Sequence, residues 1–420
     1  MSEFHQYATI ATLHNLYEIF DPEEYLHNLE KKLEDYSDSM RICLVLPSLY
    51  SELDTPGVLQ NIINEINQVS YLNQIVIAFN GTTDEKHFRR ARDFFGQLRK
   101  RDLEVKMVWV DGPRVQRVFD KIREARIDTG VPGKGQAVWI TLGYIFAKRQ
   151  AHVIALHDCD IVTYDRLLLG RLIEPTANPN NDFEFCKGYY ARVSLEDQEM
   201  KGRTTRIFVA PFVETLADLM RKNHEHALED FLRYHRSFRY PLAGEFSFVT
   251  RLGRSLNIAN DWALEVSTLS DIYQRTSLRK IAQVDLARNY DHKHKEVSES
   301  DASTGLHKMV VDIAKFFLNH VRSNGYILND DVIRMLQNTY RHNAWFFIKK
   351  YADDAATNGL VFERHKEELT ANHFVDFIGE AWEEIQAGRV REPIPSWNRV
   401  AYSFPGIYDD LLEAVEADNA

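Results

Sequence analysis

Asp158 and Asp160 flank Cys159 in the only Asp-x-Asp spacing of the chain. Carboxylates at i and i+2 of an extended segment project to one side and can share a hard cation. Magnesium or manganese held by one or two carboxylates completes its shell with substrate phosphates. A solvated turn or a helix cap would use the same residues, so position in the fold must decide. Gly133-Lys134-Gly135 opens a helical stretch. Its glycines let backbone approach an anion closely, and its lysine supplies a mobile positive charge. The spacing and the Ser/Thr of a Walker loop are absent, but beside a carboxylate-held cation the pattern suits a diphosphate. Gly202-Arg203-Thr204-Thr205 combines backbone donors, a guanidinium and hydroxyls, which suit a carboxylate or a phosphate. Asp291-His292-Lys293-His294 offers an imidazole to a carboxylate cation site. In a chain with 16 histidines the default for any one of them, His292 included, is a structural or exposed role. Residues 241–245 and 261–265 place Glu245 and Glu265 beside apolar or aromatic neighbours, as sugar sites and ordinary domain seams both do.

The elements that must position these groups are legible from periodicity. Short continuous apolar runs at 42–47, 74–79, 105–110 and 152–157 read as strands buried on both faces. Helical spacing separates them: Val58, Ile62, Ile63, Ile66 and Val69, a charged helix from near Asp84, a further helical stretch, and a helix over 136–148. Such alternation predicts a mostly parallel α/β sheet covered on both faces, with ligands beyond the C-terminal strand ends. Asp158 and Asp160 fall there, directly after the fourth strand. Residues 1–40 read as a polar helical lead-in, 183–190 and 245–250 as strands, and 208–222 and 262–273 as helices. After about Leu306 the apolar spacing is helical throughout, so 306–420 reads as an α-helical C-terminal extension used for packing or oligomerisation. The expected domains are therefore 1–40, 41–305 (with halves 41–165 and 166–305) and 306–420.

Composition narrows the function. Hydrophobic residues at 44% and charged residues at 27% exclude wholesale disorder. A formal charge of −11 lacks the basic surplus that phosphate neutralisation demands of a general nucleic-acid binder. No apolar run approaches the ~18 residues of a membrane span, and the first residues lack a signal-peptide pattern. Cys43, Cys159 and Cys186 are widely spaced, which fits reduced structural thiols in a cytoplasmic protein.

Leu46-Pro47-Ser48-Leu49-Tyr50-Ser51-Glu52 is similar to the nucleotide-binding opening of GT-A glycosyltransferases. Further blocks follow in family order across roughly residues 40–300. They are Pro132-Gly133-Lys134-Gly135-Gln136-Ala137-Val138-Trp139, Lys187-Gly188-Tyr189-Tyr190, Gly202-Arg203-Thr204-Thr205, Ala210-Pro211, Pro241-Leu242-Ala243-Gly244-Glu245, Leu264-Glu265-Val266 and Ile281-Ala282-Gln283-Val284-Asp285-Leu286. The ordered set resembles the glucosyl-3-phosphoglycerate synthases and their mannosyl relatives. The resemblance implies a GT-A fold and retaining transfer of glucose from UDP-glucose to the 2-hydroxyl of 3-phosphoglycerate. It also implies Mg2+ or Mn2+ as cofactor, a compatible-solute product and a homo-oligomer, most simply a dimer.

It further implies roles for matching positions. Leu49 and Glu52 would contact uracil and ribose, with Asn80 after the second strand. Lys134 would contact the diphosphate, and Asp158 and Asp160 the nucleotide sugar and the cation. Gly202, Arg203 and Thr205 would receive the acceptor's phosphate and carboxylate. Glu265 would lie near the sugar or the acceptor hydroxyl, residues 241–245 with Gly244 and Glu245 would wall the sugar pocket, and His292 would complete the metal site. Asp158, Asp160 and Glu265 are the catalytic candidates. The chain departs from the family at Cys159, at Tyr50-Ser51, and in a one-residue shift of the histidine segment that leaves His294 open. Transfer from GDP-mannose, transfer to free glycerate, and a non-catalytic nucleotide-sugar binder are the alternatives.

Overall fold

The computed structural model describes residues 6, 8–54, 57–98, 103–194, 196–259, 261–287, 289–291 and 305–420. Its strands are β1 (Ala11–Leu13), β2 (Ile42–Leu49), β3 (Gln74–Asn80), β4 (Glu104–Trp109), β5 (Val153–Leu156), β6 (Phe185–Tyr190), β7 (Phe246–Val249) and β8 (Ile281–Ala287). They form one sheet in the order β1-β8-β6-β7-β5-β2-β3-β4. Among the described strands only β7 runs antiparallel to its neighbours, β5 and β6. The chain builds outward from β2 through β3 to β4, then returns to place β5 on the other side of β2. That reversal opens a crevice at the C-terminal ends of β2 and β5, the usual ligand position in open α/β sheets.

The first half is covered by the helices α1 (Pro22–Ser37), α2 (Gly57–Ile66), α3 (Glu85–Phe95), α4 (Pro113–Glu124), α5 (Lys134–Lys148) and α6 (Arg166–Ala177). The carboxylates of Asp21, Asp84 and Asp165 cap α1, α3 and α6 by accepting backbone N–H groups left unpaired in the first turn. Strand residues alternate between two cores. Cys43, Val45, Val76, Ala78 and Ile154 face α4 and α5, whereas Ile42, Leu44, Leu46, Ile75 and Ile77 face α1, α2, α3 and α6.

The remaining helices are α7 (Ala210–Lys222), α8 (His226–Ser237), α9 (Thr250–Gly253), α10 (Leu264–Arg275), α11 (Leu306–Ser323), α12 (Asp330–Asn358), α13 (Arg364–Gln386), α14 (Trp397–Ser403) and α15 (Ile407–Asn419). A third core joins Phe212 of α7 and Leu232 of α8 to Phe317 of α11, Tyr340 of α12 and Phe374 of α13. The last two helices leave that core and pack on the sheet side. Trp397 stacks on Trp139 at 4.6 Å between ring centroids and donates Nε1–H to its carbonyl at 2.7 Å. Covered on both sides, α5 is buried from Gly135 through Ala147. Among the described residues no helix is long and apolar enough to cross a membrane.

Besides α6 and α8, which the sequence reading leaves unassigned, two further elements differ from it. The lead-in contains a strand, β1, which adds to the sheet edge beside β8. Three residues are too short to show a period, and β1 is fixed from outside: the Gln6 amide both donates to the Thr12 carbonyl and accepts its N–H, each at 2.8 Å. The helix expected from residue 208 begins earlier, in a wide π turn over Thr204–Val209. Pro211 has no N–H to return to the Ile207 carbonyl four residues back, and that carbonyl accepts the Tyr340 hydroxyl at 2.6 Å instead.

Candidate active site

The candidate groups follow the ends of β2, β3 and β5. β2 and β3 end in register, with Leu49 opposite Asn80. The chain then turns at Gly81, whose φ of +90° favours glycine. Asp111, just beyond β4, accepts the Gly81 and Thr82 N–H groups at 2.6 and 3.2 Å and pins this turn. Leu49 is 37% exposed, unusual for a strand residue beside a buried sheet, and presents an apolar face at the rim. Next to it Tyr50 stacks on His87 at 4.0 Å between centroids and accepts a hydrogen bond from Arg90 at 3.0 Å. Neither His87 nor Arg90 carries a sequence signal, because only the α3 packing brings them to this rim.

β5 runs into His157, which is wholly buried. Its Nδ1 lies 3.0 Å from the Asp158 carbonyl and its Nε2 lies 3.1 Å from the Tyr164 hydroxyl. One tautomer satisfies both: Nδ1–H donates to the carbonyl and Nε2 accepts from the phenol. Burial pulls the imidazole down to about 4, so the ring stays neutral and fixes the turn that carries the two aspartates.

Asp158 Oδ1 accepts from Lys134 Nζ at 2.7 Å, and the same ammonium lies 3.6 Å from Glu265 Oε1. Lys134 stands at the first position of α5 and Glu265 at the second of α10, so two helix starts converge on the end of β5. Burial works against the lysine's charge, but the carboxylates of Asp158 and Glu265 more than offset it and hold the ammonium protonated. Asp160 is pushed up to about 7, first by burial and then by the charge of Asp158, with Glu52 and Glu245 adding to it. Its Oδ1 is buried without a hydrogen-bond partner among the described residues. Such an orphaned oxygen beside a second carboxylate fits a divalent cation, which would relieve both the repulsion and the missing partner. Among the described residues no group of three His, Cys, Asp or Glu side chains is placed to hold a metal ion. His292 and His294 lie outside the described residues.

The segment 241–245 backs this cluster. A Cβ on Gly244 would fall 2.4 Å from Asp158 Oδ2, so the backbone itself forms the wall. Glu245 is wholly buried, and its two oxygens accept from the hydroxyls of Tyr190 at 2.7 Å and Tyr290 at 2.5 Å. Those rings stack at 3.6 Å and 4°. Glu245 therefore braces the wall from behind rather than presenting its carboxylate to a sugar. Burial and the charge of Asp158 raise it, against the two phenols. Lys187 of the Lys187-Gly188-Tyr189-Tyr190 block donates from Nζ to the Ala243 carbonyl at 2.5 Å and holds the segment in place. Its own burial pulls it down to about 8 despite Glu265 and Glu245 nearby.

Gly202, Arg203 and Thr205 form a second cluster at the start of the π turn. Gly202 has a φ of +75° and packs against Tyr240, where an added Cβ would meet the hydroxyl at 3.0 Å. Arg203 Nε donates to Glu367 Oε1 at 3.2 Å, and Thr205 Oγ1 is buried without a partner among the described residues. Tyr240 links the two clusters: its carbonyl accepts the Ala243 N–H at 3.1 Å in the segment that backs Asp158.

No family model matches the chain. It is 40% identical over 421 residues to the glucosyl-3-phosphoglycerate synthase of Persephonella marina, covering 100% of both chains. It is 35% identical over 411 residues to that of Methanococcoides burtonii, covering 97% of this chain and 96% of the relative. Among solved structures, the glucosyl-3-phosphoglycerate synthase of Mycobacterium tuberculosis in complex with Mg2+ and uridine diphosphate superposes with a TM-score of 0.50 at 20% identity, covering 76% of this chain and 88% of that one. The same enzyme with phosphoglyceric acid gives 0.51 at 19% identity, covering 77% and 90%. At that identity the structural likeness establishes the shared fold.

Proposed function

Because the chain belongs to the glucosyl-3-phosphoglycerate synthase family, we propose that it moves glucose from UDP-glucose to the 2-hydroxyl of 3-phosphoglycerate at the edge where β2, β3 and β5 end. It is a nucleotide-sugar-dependent glycosyltransferase with a GT-A fold. The observation that carries the reading is the buried Asp160 oxygen, without a hydrogen-bond partner among the described residues, beside the Asp158–Lys134–Glu265 cluster.

In this reading Leu49, Glu52 and Asn80 seat the nucleoside along the rim. Mg2+ or Mn2+, held by Asp158 and Asp160, supplies Lewis-acid charge for the departing diphosphate when bound. Lys134 adds a fixed positive charge that needs no reorganisation as negative charge develops on that leaving group. Gly202, Arg203 and Thr205 receive the acceptor's anionic groups, and Glu265 orients the sugar or the acceptor hydroxyl. The acceptor oxygen bonds to the anomeric carbon on the face the diphosphate leaves, the carbon–phosphate-oxygen bond breaks, and the hydroxyl proton passes to the leaving phosphate oxygen. No nucleophilic carboxylate is needed, and a trapped glycosyl adduct on Glu265 would overturn the step.

The test is UDP release by Asp160→Ala. Turnover with UDP-glucose and 3-phosphoglycerate should fall at least about 100-fold, with a melting temperature no lower than the parent's, since the variant removes a buried carboxylate that opposes folding when ionised. Parental, metal-dependent turnover would remove the assignment. GDP-mannose and free glycerate, run in the same assay, should be poor substrates; preference for either would move the chain to the mannosyl or glycerate specificity.

A further inference from the structure

The α-helical extension reads in sequence as packing material, yet one of its carboxylates reaches the acceptor cluster. Glu367, in the first turn of α13, is 5% exposed and meets two arginines of the segment that begins at Gly202. Arg206 holds it in a fork, with Nη1 to Oε2 at 3.3 Å and Nη2 to Oε1 at 3.2 Å. Arg206 is itself immobilised, donating from Nε to the Lys201 carbonyl and from Nη2 to the Met200 carbonyl, both at 3.0 Å. Its guanidinium lies over the rings of Tyr351 and Phe362. Oε1 of the fixed carboxylate then accepts Arg203 Nε at 3.2 Å.

Two further bonds tie the same loop to the extension. The Val361 N–H donates to the Gln198 carbonyl at 2.9 Å, and the Tyr340 hydroxyl donates to the Ile207 carbonyl that Pro211 leaves without an N–H. Arginine recognises phosphate or carboxylate through a planar fork whose value depends on its orientation. A long side chain left to rotate loses that advantage to rotamer entropy.

From this relay we infer that Glu367 is a positioning residue for the acceptor: anchored by Arg206, it orients the Arg203 guanidinium toward the anionic group of 3-phosphoglycerate. The inference rests on the assignment of Arg203 to the acceptor made above. It makes the helical extension a functional wall of the acceptor site.

The experiment is a kinetic double-mutant cycle with Glu367→Gln and Arg203→Ala, reading KM for each substrate, kcat and thermal midpoint. Glu367→Gln should raise KM for 3-phosphoglycerate about 10-fold, with KM for UDP-glucose and kcat within about twofold of the parent. In the Arg203→Ala background the same change should add almost nothing, because the lever it acts through is gone. Glu367→Asp keeps the charge but retracts it by one methylene, and should give an intermediate acceptor KM; it serves the cycle if the glutamine variant does not fold. An unchanged acceptor KM, equal rises in both substrate KM values, or additive effects in the cycle would each overturn the positioning role. If Arg203→Ala alone leaves the acceptor KM unchanged, the acceptor assignment fails instead.

Discussion

Gly244 has no room for any other residue, since an alanine methyl would occupy the space of Asp158 Oδ2 at 2.4 Å. The carboxylate is the softer side of that clash and must rotate, which breaks its 2.7 Å contact with Lys134. Gly244→Ala should therefore lower kcat/KM for UDP-glucose about 100-fold or more, a loss typical of a misplaced charge-stabilising group. The thermal midpoint should move little, because the clash falls on one side chain at the crevice. A variant with parental rates would show that Asp158 works from another rotamer. Charge and spacing single out Asp158, Asp160 and Lys134 in the sequence and the family resemblance adds Glu265, and the fold brings Lys134 against both Asp158 and Glu265. Direction was not readable. Glu245 carries the same charge as Glu265, but only the folded chain turns one between Tyr190 and Tyr290 and the other toward Lys134.

At the scale of elements the strands were legible because two-sided burial demands apolar runs, and β2 through β5 appear within a residue or two of their expected ends. What escaped were elements whose shape is set from outside. β1 depends on the Gln6 amide and on β8. The π turn is entered at Gly202, and Tyr340 from α12 bonds the carbonyl that Pro211 leaves open. The α5–α14 contact is of the same kind. Trp397 lies on α5 where Gly143 has no side chain, at a place a Cβ would meet the indole at 2.0 Å. Gly143→Ala should cost about 1–3 kcal/mol by overpacking, even though alanine is the better helix former. Urea unfolding measures this; a stabilised variant would mean that α14 can move away without loss. The active-site end of α5, more than two turns from Gly143, should keep its kinetics in the folded fraction.

Across the whole molecule, two histidines couple the sheet-bearing half to the helical extension and make the assembly sensitive to acid. His235 of α8 is buried, and its Nε2 lies 2.9 Å from Ser270 Oγ, whose own hydrogen goes to the Val266 carbonyl. Nε2 must therefore carry the proton, which leaves Nδ1 buried without a partner among the described residues. His320 of α11 stacks on Phe231 at 3.9 Å. Burial holds His235 down to about 3, with His320 adding to the effect, and holds His320 down to about 4. The unfolded chain takes up these protons near the ordinary 6.5, while the native state refuses them until well below 5. The stability contributed by these two histidines is thus complete above pH 6.5 and falls as the pH drops toward 4, at a limiting slope of about 1.4 kcal/mol per pH unit for each group. Asp160 works in the opposite sense, since its native carboxyl, raised to about 7, binds a proton before the unfolded one does. The difference between variant and parent isolates the histidine. His320→Phe keeps an aromatic ring against Phe231 and removes the titrating group, so its urea-unfolding free energy should decline between pH 6 and 5 by about 1 kcal/mol less than the parent's. Equal declines would mean that the α8–α11 seam opens far enough to admit the proton in the native state, and that the two halves are not locked together there.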